Sequence, residues 1–415
     1  MFDDPLILAR LQFALTASTH YIFVAFTLGL APFILFGQLS ATLRRDADRM
    51  RGVRFWGGLY VVNYAMGVLS GLVMELQLAL NWSGLSDMFG HVFGAPLAVE
   101  TMGAFFVEST FLGLWIFGWD RMGRWAHLAC FGVVTATAYL SAYWVLVSNG
   151  FLKYPVGFRV EDGTAVLTDP VAMLTNPATL LALGHIALSA LLLGGAVVMA
   201  VSAYHLARRS DPYGVFSRGI RRGLVVFAAA LMPTAAVGGM QFALYDMVPP
   251  TSGSTYSAQE IEAIEARYAA NSQLELVGGL GDAFMMGFWS LMFFLTPVLL
   301  LAWLLRGLDR WRWLLWPLTF LPFLPYIASV AGWALRETGR QPWVVEDLLT
   351  TADAMTDMTP GMAVVSFSLF TLAFAVLATV TYALLVRYAV RGPDRGPLTP
   401  AAPEPPAAPA HAPAF

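Results

Sequence analysis

The chain has 415 residues, of which 58% are hydrophobic and only 12% charged, with 13 tryptophans and a formal net charge of −3. A mean hydropathy of +0.64 excludes an ordinary soluble domain and leaves an all-α polytopic membrane bundle with no nucleic-acid partner. The single cysteine, Cys130, excludes an internal disulfide, a thiolate zinc cluster and a C-x-x-C-H attachment site.

In chain order, the apolar segments lie at about 11–39, 56–82, 98–119, 126–149, 178–206, 223–246, 275–305, 313–334 and 361–386, which predicts nine transmembrane helices. The first carries His20, nine residues in. It is too long for the apolar region of a signal peptide and lacks a basic start, so it is expected to remain as a span. His91 falls in the connection between the second and third segments. The third segment carries two carboxylates, Glu100 and Glu108, each a functional hypothesis by default inside a bilayer. On a regular helix they lie roughly 80° apart in projection and about 12 Å apart along the axis, so they can line one side of a proton path or pair with arginines of neighbouring helices. The fifth segment carries His185, seven residues in. The seventh carries Met285, Met286 and Met292, any of which can offer a thioether opposite His185. His127 and His205 sit near helix ends and His411 in the tail, where interfacial or solvated positions are expected.

The arginines fix the orientation. Arg44, Arg45, Arg49, Arg51 and Arg54 follow the first span, and Arg121 and Arg124 the third. Arg208, Arg209, Arg218, Arg221 and Arg222 follow the fifth, Arg306, Arg310 and Arg312 the seventh, and Arg387, Arg391 and Arg395 the ninth. Only Arg10, Lys153, Arg159, Arg267, Arg336 and Arg340 lie elsewhere. By the positive-inside rule the N-terminus is outside and the C-terminus inside. His20, His185, Glu100 and Glu108 then fall at one depth, in the outer half of the bilayer. A lone intramembrane histidine more often bonds a neighbouring helix than a metal; the shared depth raises iron ligation to an equal alternative. The predicted organisation is a transmembrane domain over residues 1–390, a short outer loop over 247–274 and a disordered Pro/Ala-rich cytoplasmic tail over 391–415.

Several strings resemble a known family. LARLQFALTASTHYIFVAFTLGL, NWSGLSDMFGHVFGAPLAVETMGAFFVESTFLGLWIFGWDRMG, LSAYWVLVSNG and GWALRETGRQPW are similar to subunit I of the cytochrome bd quinol oxidases. The resemblance implies a nine-span, haem-bearing subunit of a respiratory oxidase that takes electrons from quinol, reduces dioxygen to water and builds a proton gradient by vectorial chemistry. It implies a bacterial or archaeal plasma membrane, with membrane lipid around the chain and a second membrane subunit, of the cytochrome bd subunit II type, or a second copy as partner. The implied cofactors are a low-spin heme b, a high-spin heme b, and heme d or a third b-type haem.

Residue by residue, His20 resembles the axial ligand in the dioxygen-binding high-spin region, and Glu337 the carboxylate ligand of the high-spin b haem. His185 resembles a ligand of the low-spin b haem. Glu100 resembles the acid beside or on heme d, and Glu108, Ser109 and Ser141 the proton path. Arg10, Trp333, Arg340 and Trp343 match positions that bond haem propionates or pack on a porphyrin. Two departures stand out. In GDAFMMGFWSLM the spacing to Gly287 favours Met285 as second low-spin ligand, but Ala283 stands where the family has an arginine. The loop VPPTSGSTYSAQEIEAIEARYAANSQLE lacks the Gln-Pro string, with its following Lys and Glu, of the family's quinol loop. The alternative is a haem-b electron-transfer or gas-sensing protein without rapid dioxygen reduction.

Overall fold

In the computed structural model, residues 4–245, 254, 256–269 and 272–399 are described. Among them are nine helices, or runs of helix, long and apolar enough to cross a membrane. Helix α1 (Pro5–Arg44) begins at an Asp4 cap that accepts the Leu6 N–H at 2.9 Å, with Pro5 at the first helical position. It ends where Arg45 turns left-handed, at φ 51°. Asp46 then caps α2 (Ala47–Asn81) by accepting the Arg49 N–H at 3.0 Å. The Arg49 N–H and guanidinium hold the Asp46 carboxyl below the usual carboxylate range.

Only Trp82 separates α2 from α3 (Ser83–Val99). This helix runs without a break through a π-helical turn, Glu100–Phe105, into α4 (Phe106–Phe117). The third span therefore starts some fifteen residues earlier than its hydropathy indicates, and His91 lies on a helix rather than in a loop. After α5 (Arg124–Lys153) come a hairpin of β1 (Phe158–Glu161) and β2 (Thr164–Leu167) and a short α6 (Pro170–Leu174). Helix α7 (Pro177–Ala207) and α8 (Val215–Tyr245) follow. The predicted loop over 247–274 contains α9 (Ala258–Ala269) among its described residues. The remainder is α10 (Ser272–Leu304), α11 (Arg312–Leu318), α12 (Phe323–Thr338), a small hairpin of β3 (Trp343–Val345) and β4 (Leu349–Thr350), α13 (Thr351–Ala354) and α14 (Pro360–Arg391).

The segment expected to be a tail from residue 391 starts as part of the fold. Arg391 ends α14, Pro393–Arg395 forms a 3₁₀ turn, and Arg51 pairs with Asp394 at 3.6 Å. Pro397 and Leu398 lie against Gly58 and Gly57 of α2. These glycines leave a groove that the chain's own end fills. Residues 400–415 lie outside the described part.

Two groups of helices meet along α1 and α7. One contains α1, α2, α4 and α5, the other α7, α8, α10 and α12, and α14 packs on α1 and α2. Burial identifies the centre: 67% of the apolar window is buried in the α7 span and 50% in α1, against 39% or less elsewhere. The contact is made by glycine. A Cβ on Gly194 would lie 2.8 Å from the Gly29 Cα, and one on Gly29 would lie 2.9 Å from the Gly194 nitrogen. The same device joins α7 to α8, where a Cβ on Gly195 would meet the Gly223 carbonyl at 2.9 Å. In lipid, where burial of apolar surface gives helices no preference for one another, such close backbone approach supplies the packing energy.

His127 and His205 are buried, at 4% and 3% exposure, rather than interfacial or solvated. Gln38 donates to His127 Nδ1 at 2.9 Å, Trp115 Nε1 donates to Gln38 Oε1 at 2.9 Å, and His127 Nε2 donates to the Trp115 carbonyl at 2.8 Å. This closed ring ties α1, α4 and α5. His205 Nε2 donates to the Ala389 carbonyl at 2.8 Å and its ring stacks on Phe216 at 3.9 Å. Proximity to a helix end does not imply exposure when α14 covers that end.

Gly194→Leu is expected to force α1 from α7 and to destabilise the protein by about 1–3 kcal/mol, read as a lower thermal midpoint. Gly90→Ala, with nothing within 4 Å of the added Cβ, is expected to leave the midpoint unchanged or raise it.

Candidate functional site

His20 and His185 stand on the two central helices at matching depth. Tyr21, next to His20, bonds Ser189, one turn beyond His185, at 3.1 Å. Each histidine has one ring nitrogen fixed and the other left over. His185 Nδ1 lies 3.0 Å from the Thr234 carbonyl, which can only accept, so the proton sits on Nδ1 and the Nε2 lone pair is available. His20 Nδ1 lies 2.8 Å from Ser70 Oγ, whose own proton goes to the Gly67 carbonyl at 2.9 Å. Ser70 therefore accepts from His20, and again Nε2 carries the lone pair. This is the tautomer that ligates metal through Nε2, with the opposite nitrogen oriented by a hydrogen bond.

Glycines keep space beside these groups. A Cβ on Gly71 would lie 3.3 Å from His20 Cε1, one on Gly238 2.9 Å from His185 Cε1, and one on Gly332 2.7 Å from Met285 Sδ. Met285 is half-buried against α12, Met286 is 50% exposed, and Met292 is sealed in the core at 1%. Of the three methionines, Met285 alone has an inward face without being locked into apolar packing.

The two carboxylates of the third span are brought closer in angle than a regular helix allows. The π turn at Glu100–Phe105, with the Phe106 N–H bonded to the Thr101 carbonyl, takes up one extra residue. Eight positions then turn like seven, so Glu100 and Glu108 face within roughly 20° of each other rather than 80°. Ser141 donates to Glu100 at 2.5 Å from α5, and Tyr60 donates to Glu108 at 3.2 Å from α2. Ser109 gives its proton to the Phe105 carbonyl at 2.8 Å and so accepts from Tyr64 at 2.9 Å. Tyr60 and Tyr64 stack at 6.2 Å, one turn apart on α2.

The sequence reading missed both tyrosines. Their i, i+4 spacing on a span facing the two-glutamate helix was the signal available. It also missed Glu75, an exposed acid of α2 within electrostatic reach of Glu100.

A third cluster is cationic. Glu337 pairs with Arg340, both side chains being 15% exposed or less. Among the described residues, Arg10 Nε, Arg336 Nη2 and Arg340 Nε are buried without a hydrogen-bond partner. Arg336 also approaches Gln241 at 3.5 Å. Tyr268 on α9 lies beside Arg10, its phenol pushed up to about 12 by burial and therefore neutral. Trp333 packs at 6.2 Å from Phe13. Trp343 stands apart: it is 2% exposed, edge-on to Tyr256 at 5.5 Å, with its indole nitrogen 3.5 Å from Glu265. Arg336 was legible only as one of six basic residues outside the alternate loops.

Among the described residues, no three His, Cys, Asp or Glu side chains converge on a common metal position. The chemistry available is single imidazole and thioether donors, buried guanidinium nitrogens without acceptors, and a carboxylate–hydroxyl chain. Residues 8–251 and 282–393 match the family described as Cytochrome bd terminal oxidase subunit I. The chain belongs to this family. It is 31% identical to the cytochrome bd ubiquinol oxidase subunit 1 of Bacillus subtilis (strain 168), over 95% of this chain and 94% of that protein. It is 28% identical to the cytochrome bd-II ubiquinol oxidase subunit 1 of Escherichia coli (strain K12), over 94% and 97%. Its fold matches a chain of the bd oxidase from Geobacillus thermodenitrificans with a TM-score of 0.79 and 24% identity, covering 94% of this chain and 99% of that one. The cytochrome bd subunit I fold thus accounts for the nine-span bundle.

Tyr60→Phe is expected to remove the donor to Glu108 while its ring contacts persist. Stability should fall by about 1 kcal/mol, and the infrared carboxyl band that disappears in Glu108→Gln should shift.

Proposed function

We propose that this chain is the haem-bearing subunit of a quinol:dioxygen oxidoreductase, spanning a bacterial or archaeal plasma membrane beside a second membrane subunit or another copy of itself. The observation that carries this is the pair of histidines on α1 and α7, each with Nδ1 held by a neighbour and Nε2 left with a lone pair. His185 and Met285 would hold a low-spin heme b. Glu337 would serve a high-spin heme b, and His20 either that haem or, with Glu100, a heme d or third b-type haem. The unpartnered nitrogens of Arg10, Arg336 and Arg340 suit the propionates, whose oxygens would give these buried N–H groups acceptors. Bound haems would supply the electron storage and dioxygen chemistry that no side chain can.

The chain's own residues do the rest. Reduction of dioxygen to water consumes four protons, and a gradient follows without a pump if these come from inside while quinol protons leave outside. The arginine-rich loops support an outside N-terminus and an inside C-terminus, which puts Glu108 deeper than Glu100. Tyr60 and Tyr64 orient Glu108 and Ser109, and Ser141 holds Glu100, so a proton reaching Glu108 has a second acceptor on the same helix face. Buried carboxylates that keep a hydroxyl partner in each position can hold a proton in transit without an uncompensated charge in lipid.

His185→Ala is expected to abolish the low-spin b signal in the reduced-minus-oxidised spectrum; an unchanged spectrum would remove His185 from the ligand set. Glu108→Gln is expected to slow quinol-dependent oxygen uptake roughly 100-fold, the usual worth of a positioned proton donor, with haem content unchanged. Two b-type signals, a far-red chlorin band and quinol-dependent oxygen uptake in the unaltered protein separate the oxidase from a haem-b electron relay, which would show b-type signals without rapid uptake.

A further inference from the structure

At the end of α10 the chain makes a turn that leaves a partly open cavity of about 350 Å³, bordered by Arg221, Trp303, Leu304, Arg306, Asp309 and Arg310. The turn is firmly built. Arg306 is left-handed at φ 57°, Gly307 N and Leu308 N both donate to the Ala302 carbonyl at 2.8 and 3.1 Å, and Leu308 is buried in the core at 1%. The arginines are thus carried on a backbone that does not need ordering.

The charges do not balance. Arg221 from α8 pairs with Asp309 at 2.6 Å, which uses the only acid in the cavity wall. Among the described residues, Arg306 and Arg310 have no acidic partner. Three arginines against one aspartate leave the cavity with two positive charges in excess, so it is suited to an anion.

The surroundings say what the anion is attached to. Leu304 is 77% exposed and Leu305 60%, and along the same helix Leu301, Val298 and Phe294 are exposed at 55%, 51% and 70%. Trp303, Trp313 and Trp316 are partly exposed around the turn, as tryptophans are at a headgroup layer. A free phosphate would use the arginines and leave this apolar track without a role. We infer that the cavity between α8 and the α10–α11 turn binds the headgroup of an anionic phospholipid, whose acyl chains lie along the exposed face of α10. Basic pockets between spans at the cytoplasmic side bind such lipids for the same electrostatic reason.

The test is native mass spectrometry of the full chain purified with its partners, after incubation with phosphatidylglycerol or with phosphatidylcholine. The unaltered protein is expected to retain phosphatidylglycerol in preference. R306Q/R310Q should lower that retention about tenfold or more, as expected for two basic groups at an anionic surface. Asp309→Asn should raise it, because it frees Arg221 and removes the competing acid. A variant that merely unfolds the turn cannot give these opposite signs. Equal retention in all three proteins, loss in both variants, or displacement of the lipid by millimolar inorganic phosphate would overturn the assignment.

Discussion

The backbones of α1 and α7 touch at Gly29 and Gly194, and most of the architecture follows from that contact. It makes these two helices the most buried of the bundle and sets the axis against which the two groups of helices lean. His20 and His185 each stand on one of the two helices, less than three turns from the glycines. Their shared depth is therefore a property of close backbone packing between two central helices rather than of loops. Tyr21 and Ser189 add a polar tie at the same level, so rotation of either helix would cost both a hydrogen bond and a steric clash.

A membrane interior requires polar groups to be satisfied from within the protein, and this separates two kinds of buried histidine. His127 has both nitrogens engaged, in the ring with Gln38 and Trp115, and its role is to hold three helices together. His20 and His185 have one nitrogen engaged and one left over. The arginines divide similarly. Those of the loops after α1, α7 and α10 face solvent or pair with acids or carbonyls, whereas among the described residues the buried guanidinium nitrogens without a partner belong to Arg10, Arg336 and Arg340, at the ends of α1 and α12 away from those loops.

The nine spans were legible because hydropathy and arginine placement are averages over many residues, and no single contact alters them. The start of the third span was not, because Asp87, His91, Pro96 and the glycines of Ser83–Val99 read as a connection, whereas packing against β2 and α5 holds the segment helical. The buried state of His205 depends on α14 returning over it, a contact between residues more than 180 apart in sequence. His20, His185, Glu100, Glu108 and Met285 could be singled out as intramembrane polar or thioether residues. Tyr60 and Tyr64 offered only their i, i+4 spacing, since tyrosine is ordinary in a span, and Arg336 only its place outside the alternate loops, since an arginine at a helix end has many other reasons to be there. Met285 and Met286 are adjacent in sequence, where only the spacing to Gly287 separates them; in the structure Met285 lies against Gly332 of α12 and Met286 is exposed.

The π turn at Glu100–Phe105 makes the alignment of the two acids a matter of counting as much as of chemistry. Both glutamates could be kept and still be separated: relaxation of the turn to regular i→i+4 bonding at the same chain length would swing Glu100 by about 100° relative to Glu108. Ser141 would then lose its partner although no side chain of the site had changed. Removal of one residue together with the turn would by contrast leave seven regular steps and the same offset of roughly 20°, so chain length and backbone bonding between positions 100 and 108 can change only together if the two acids are to stay aligned.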